Sequence, residues 1–130
     1  MSLHDPNPDF RNLIKLSTLN STLLTLNSQL KNMEPIKSKP VKSSQVTLTE
    51  LMIPAYANFG GKIHGGILLS LMDKLAYACA TKHSGSYCVT VSVDNVEFLQ
   101  PVEVGEMVSM LGSVNYVGKT SMIVGIKVIA

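Results

Sequence analysis

Residues 58–73 read NFGGKIHGGILLSLMD, from Asn58 to Asp73, and this stretch decides the fold. The segment Ala57 to Gly66 holds four glycines, so its backbone can turn tightly and visit left-handed conformations. Beyond it, Ile67 to Lys82 is dense in Leu, Ile, Met and Ala, which predicts a helix buried over most of its circumference. One narrow polar stripe interrupts that helix, because Ser70, Asp73, Tyr77 and Thr81 follow helical spacing and share a face. An Asp inside a helix costs roughly half a kcal/mol relative to Ala, so Asp73 calls for an offsetting use.

Working outward, Gln45 to Leu48 alternates polar and apolar residues with Val46 and Leu48 on one face, the pattern of a half-buried strand that Pro54 ends. After the Ser84, Gly85, Ser86 turn, Val89, Val91 and Val93 alternate with Thr90, Ser92 and Asp94 in a second strand. The alternation then slips by one, with Val96 and Phe98 continuing on even positions, which predicts a bulge near Asp94 or Asn95. Pro101 to Gly105 forms a turn, Met107 to Tyr116 a third strand and Gly118 to Thr120 another turn. In the fourth strand Met122, Val124, Ile126 and Val128 oppose Ile123, Gly125, Lys127 and Ile129. No helix separates the last three strands, so short antiparallel connections and a meander are expected. A strand, a long helix and antiparallel strands make the class α+β.

Residues 1–43 differ from the rest, being rich in Ser, Thr, Asn, Pro and Lys, and read as a leader plus linker to a domain over 44–130. Leu16, Leu19, Leu23, Leu26 and Leu30 recur at steps of three and four, the stripe of one amphipathic helix, with disorder or a weak transit peptide as alternatives. Lys37, Lys39 and Lys42, around Pro40, read as a solvated linker, and Met33 is a possible alternative start.

With 130 residues the chain fits one domain. Its charged fraction is only 15% against 45% hydrophobic residues, which suggests surface hidden in an oligomer. Ten Lys and the single Arg11 are scattered and Trp is absent, so neither a basic face nor a base-stacking platform points to nucleic acid. No run of 18 apolar residues offers a membrane span, and Asp5 and Asp9 stand where a signal peptide needs positive charge. Cys79 and Cys88 read as buried, reduced thiols in a cytoplasmic, reducing setting; a nucleophilic Cys88 paired with His83 is the sharper alternative.

Asn58, Gly61, the triplet His64, Gly65, Gly66, then Leu71, Met72 and Asp73 resemble the hotdog-fold acyl-CoA thioesterases of the bacterial short-chain and mammalian cytosolic types. The resemblance continues through Val89 to Leu99, Pro101, Val104, Gly105 and the turn Gly118, Lys119, Thr120, Ser121, Met122, and covers roughly Val46 to Ala130. It implies a hotdog fold: a long central helix wrapped by a curved antiparallel sheet, paired into dimers or larger assemblies with sites at the dimer interface. It also implies that Asn58 of one subunit acts with Asp73 of the other. The family sheet has a fifth strand after the fourth, whereas here the sequence stops at Ala130 within the fourth strand's pattern. Either an edge is left unpaired, the leader covers it, or the sequence continues further.

Within that resemblance each chemical requirement of thioester hydrolysis has a candidate. The amides of Gly65 and Gly66, at the helix start, suit a developing oxyanion. Asp73 would act as base on a water or as a nucleophile forming a mixed anhydride. Asn58 would hold the water or donate to the thioester oxygen, its plainer reading being a turn residue. His64 is expected at the substrate-binding site in a structural role, with direct chemistry the lesser reading. Lys119, Thr120 and Ser121 suit the CoA phosphates, against the simpler reading of a polar hairpin. No metal spacing is present, and no cofactor is expected beyond the CoA carried by the substrate. The partners expected are acyl-CoA and further copies of the chain. A hotdog module that binds acyl-CoA without turnover and a purely structural dimerisation domain are the alternatives.

Overall fold

The computed structural model describes residues 12–18, as backbone, and residues 38–130. In chain order the elements are β1 (Asn12–Thr18), β2 (Val46–Leu51), α1 (Gly65–Ser84), β3 (Cys88–Asn95), β4 (Met107–Val117) and β5 (Ser121–Ile129). Short 3-10 turns at Val41–Ser44 and Pro54–Tyr56 flank β2. The strands form one antiparallel sheet in the order β2-β4-β5-β1-β3, with the long helix α1 packed chiefly on β4 and β5. This is the expected α+β hotdog arrangement. No helix among the described residues is long and apolar enough to cross a membrane.

The sheet alternates as its sequence predicts. Met122, Val124 and Ile126 of β5 point inward with Val108, Met110 and Val114 of β4, and Val46 and Leu48 of β2 pack against the same core. Onto these strands α1 lays Leu68, Leu71, Met72, Leu75, Ala76, Cys79 and Ala80, recurring at three and four. A fully buried Leu or Met contributes about 1.5–3 kcal/mol, so this seam holds the layers together. Burial over most of the circumference is not observed, however. Leu69, Ser70, Asp73, Lys74 and Tyr77 form an exposed face, since only one side of the helix has a sheet beneath it.

Helix and sheet approach closely at Gly112 of β4. A Cβ there would lie 2.8 Å from the Cys79 sulfur and 3.0 Å from Leu75 Cγ, so the glycine sets the interlayer spacing. Gly112→Ala is expected to cost about 1–3 kcal/mol through overpacking. Thermal melting checks this, and adding Cys79→Ala should recover part of the loss by making room.

The expected bulge is present. Leu13 faces Asn95 and Ile14 faces Val93, leaving Asp94 as the extra residue, and a second irregularity skips Val91. The meander is corrected. β4 and β5 are a hairpin, but β3 lies at the far edge of the sheet rather than beside β4. Two features account for this. The 20-residue helix carries the chain about 30 Å from β2 before β3 begins. Residues 96–106 are then stitched to the segment around Met52 and Ile63: Ile63 N–H donates to Val102 O at 2.9 Å, Met52 N–H to Glu106 O at 2.9 Å and Gly105 N–H to Met52 O at 2.7 Å. These bonds return the chain to the β2 edge. They also end β3 at Asn95, so Val96 and Phe98 do not continue it.

The fifth strand of the sheet is β1, which inserts between β5 and β3. Among the described residues, β1 thus pairs with both β3 and β5. The leader's expected helix is corrected at Leu16, which pairs as a strand with Met122 and Thr90; sheet pairing on both sides outweighs a local apolar period. Leu19, Leu23, Leu26 and Leu30, and likewise Met33 and Lys37, lie outside the described residues.

The linker is also more engaged than expected. Lys39 Nζ donates to His83 O at 2.7 Å, at the C-terminal end of α1, where a cation is favoured. Ser44 is fully buried; its hydroxyl donates to Val41 O and accepts the Val114 N–H at 2.9 Å.

Candidate active site

The loop before α1 is organised by Asn58. Its side-chain oxygen accepts the N–H groups of Gly60 at 2.9 Å and Lys62 at 3.2 Å, and its own N–H donates to Lys62 O. This is the turn role that Asn favours, and it orients the residue. With the oxygen occupied, the NH2 group is the part of Asn58 left to act as a donor toward something outside the loop. Asn58 is exposed, and it makes no hydrogen bond with Asp73 of the same chain.

His64 is the N-cap of α1, and its Nδ1 accepts the Gly66 N–H at 3.0 Å. The histidine thus satisfies one of the orphan donors of the first turn. The consequence divides the two glycines. The Gly66 amide is already committed, whereas the Gly65 amide makes no hydrogen bond among the described residues. Phe98 closes over Gly65, its ring 3.3 Å from where a Cβ would stand, so only glycine lets the helix start lie this close to the ring.

Asp73 stands two turns further along, on the exposed face of α1. The Thr90 hydroxyl, from β3, donates to Asp73 Oδ1. This anchors the carboxylate on one oxygen and leaves Oδ2 directed elsewhere. Two shallow concavities meet at Asp73. One is lined by Gly66, Leu69, Ser70, Val93 and Val96, the other by Tyr77, Tyr87, Val89 and Thr90. Tyr77 and Tyr87 meet edge-to-face with centroids 6.3 Å apart. Both concavities are open, and around them Val91 is 61% exposed and Tyr87 62%.

Thr90 was missed in the sequence. The only signal was its place among the polar positions of an alternating strand, which gave no reason to pair it with a residue 17 positions away. The turn Lys119, Thr120, Ser121 is not brought to the helix start. Ser121 lies opposite Ser17, which in turn faces Val89, so the turn sits about 10 Å across the sheet from the Thr90 end of β3.

The cysteines carry no reactive signature. Burial pushes the Cys79 thiol up to about 11, and Cys88 Sγ lies beside Ser84 Oγ and Ser86 O at 3.5 Å rather than bonding with His83.

A long helix on an open antiparallel sheet, with a carboxylate on the helix face and a glycine pair at its start, is the hotdog class of domain. The model of the thioesterase superfamily matches residues 60–130, more than half of the sequence, and the chain belongs to that family. Protein VdlD of Helicobacter pylori is 46% identical over 87 residues, covering 67% of this chain and 50% of that protein. An uncharacterised acyl-CoA thioester hydrolase of Bacillus subtilis, YkhA, is 35% identical over 97 residues, covering 75% and 56%. Among solved structures, a threonine-to-alanine mutant of an acyl-CoA hydrolase from Staphylococcus aureus superposes with a TM-score of 0.67 at 30% identity, over 69% of this chain and 56% of that one. A hexameric acyl-CoA thioesterase gives 0.63 at 28% identity, over 73% and 74%. The chain spans about half the length of these bacterial curated relatives.

Proposed function

We propose that this domain hydrolyses acyl-CoA thioesters to the free acid and CoA. The observation that carries the reading is Asp73, a carboxylate on an exposed helix face, anchored on Oδ1 by Thr90 and bordered by apolar concavities. Relatives and structural neighbours named as acyl-CoA thioester hydrolases support the same chemistry. In this mechanism Asp73 takes a proton from a water that attacks the thioester carbon, or attacks that carbon itself. The carbonyl oxygen gains charge and is met by the Gly65 amide at the positive end of α1; Gly66 joins only where His64 releases it. The C–S bond then breaks and the CoA sulfur leaves as thiolate; in the first route it takes up the proton that Asp73 removed from water, and in the second a water hydrolyses the acyl-Asp73 anhydride to the free acid and supplies that proton.

One chain supplies half of such a site. No hydrogen bond joins Asn58 to Asp73 within the chain, and the exposed side of α1 and β3 carries Leu69, Tyr77, Tyr87, Val91 and Val93. A second copy covering this face brings its own Asn58 to the carboxylate, its NH2 directed at the water or the thioester oxygen. The hexameric state of the structural neighbour is in keeping with such pairing. Lys119, Thr120 and Ser121 hold the CoA phosphates at the rim.

The test is a panel of short- to long-chain acyl-CoAs with free thiol detection, alongside calorimetry. One thiol released per acyl-CoA consumed is the expected result. Binding without thiol release would assign the chain to a non-catalytic acyl-CoA-binding module instead.

A further inference from the structure

The segment that holds the candidate carboxylate in place comes from outside the region matched to the family. The match covers residues 60–130, and β1 is Asn12–Thr18. Yet β3, which carries Thr90, ends the strand order, and β1 is its only neighbour in the sheet among the described residues. The pairing is specific in register: Leu16 stands opposite Thr90 on one side and opposite Met122 of β5 on the other, while Ser17 faces Val89 and Ser121. Among the described residues, the hydrogen-bonded sheet links from the core strands β4 and β5 to β3 therefore pass through β1.

We infer that the amino-terminal strand is a positioning element of the active site, acting through β3 and Thr90 on Asp73. A strand with no sheet neighbour loses its ladder of N–H···O bonds, and an isolated strand is not stable in water. Displacing β1 leaves β3 without a sheet neighbour among the described residues, resting on its packing against α1, and the Thr90 hydroxyl loses its fixed distance to Asp73 Oδ1. The helix and its N-terminus are held independently by β4 and β5, so Gly65, His64 and the body of the core keep their places. The segment thus tunes the carboxylate's aim rather than the existence of the fold. This rests on the hydrolase reading for its consequence in catalysis, but not for its structural half.

The experiment is carried out on the full chain with two substitutions in β1, Leu16→Pro, which removes an N–H and clashes within a central strand, and the milder Leu16→Gly. Hydrogen exchange is followed on residues 88–95 and on 107–117. The expected result is loss of protection in 88–95, with 107–117 largely unchanged. In parallel, Thr90→Val is made in the native and the Leu16→Gly backgrounds. In the native background it should lower kcat about tenfold with little change in KM; in the Leu16→Gly background, less than about twofold, because coupled residues are not additive. Equal protection of 88–95 in all three proteins would overturn the inference. So would an undiminished tenfold effect of Thr90→Val after Leu16→Gly, since a strand that only stabilises the fold gives additive losses. Should Leu16→Pro not fold, the Leu16→Gly protein decides. A native chain that releases no thiol but shows selective exchange in 88–95 refutes the hydrolase reading and leaves the β1 to β3 dependence standing.

Discussion

Asp73→Asn is expected to lower kcat by a factor of about 10²–10⁴ while leaving KM within about threefold, measured by thiol release at saturating acyl-CoA. The range is that of a lost general base or nucleophile. The amide is nearly isosteric, and its oxygen can still accept the Thr90 hydroxyl, so the helix face keeps its shape. Asp73 is exposed and makes no contact with the core seam of Leu68, Met72, Leu75 and Cys79, so stability should change by less than about 0.5 kcal/mol. A loss of rate with an unchanged melting curve separates chemistry from folding. Full activity in Asp73→Asn would remove Asp73 from the mechanism.

The contrast between Asp73 and Thr90 shows what the sequence made legible. Asp73 could be found because a carboxylate inside a helical stripe violates local propensity and stands at the offset from Asn58 and the HGG triplet on which the resemblance to the hotdog thioesterases rests. Thr90 violates nothing: a threonine in a strand is ordinary, and only the packing of β3 over α1 makes it a partner. Similarly, the alternation in β5 predicted its buried face, and the slip after Val93 predicted the bulge at Asp94, since both are properties of a single strand. Strand order is a property of pairs. Nothing in residues 96–106 announces the bonds to Met52 and Ile63 that send β4 back to the β2 edge. The leader misled for a related reason. A period of three and four in leucine is a local signal, whereas the pull on Leu16 comes from the edges of β3 and β5, which are distant in sequence. His64 lies between these cases. The resemblance to the thioesterases implied a structural part for it, but the bond to Gly66 that withdraws one oxyanion donor depends on the folded loop.

Subunit complementation carries the second large effect. If Asn58 of one copy serves Asp73 of another, then Asn58→Ala and Asp73→Asn should each be nearly inactive alone, yet active when unfolded together and refolded as a mixture. In a two-fold dimer each mixed pair contains one site with both residues intact and one with neither. Random association makes half of the dimers mixed, so the mixture should recover about a quarter of the native activity per subunit. The geometry within one chain favours this outcome: the Asn58 oxygen is held by Gly60 and Lys62 in its own loop, and no bond joins it to Asp73. Asn58→Ala also removes that local anchor, so the loop's integrity needs a control. Asn58→Asp keeps the acceptor oxygens for Gly60 and Lys62 but loses the NH2 donor, and should complement Asp73→Asn as well as Asn58→Ala does. Recovery with neither Asn58 variant would place both residues in the same subunit's site, and an Asn58→Ala protein active on its own would remove Asn58 from the mechanism. Recovery with Asn58→Ala alone would mean that Asn58→Asp disturbs its own loop, because in the mixed pair the new carboxylate lies in the site that lacks Asp73. Sedimentation of the refolded mixture confirms that mixed oligomers have formed, so a lack of activity is not mistaken for a lack of exchange.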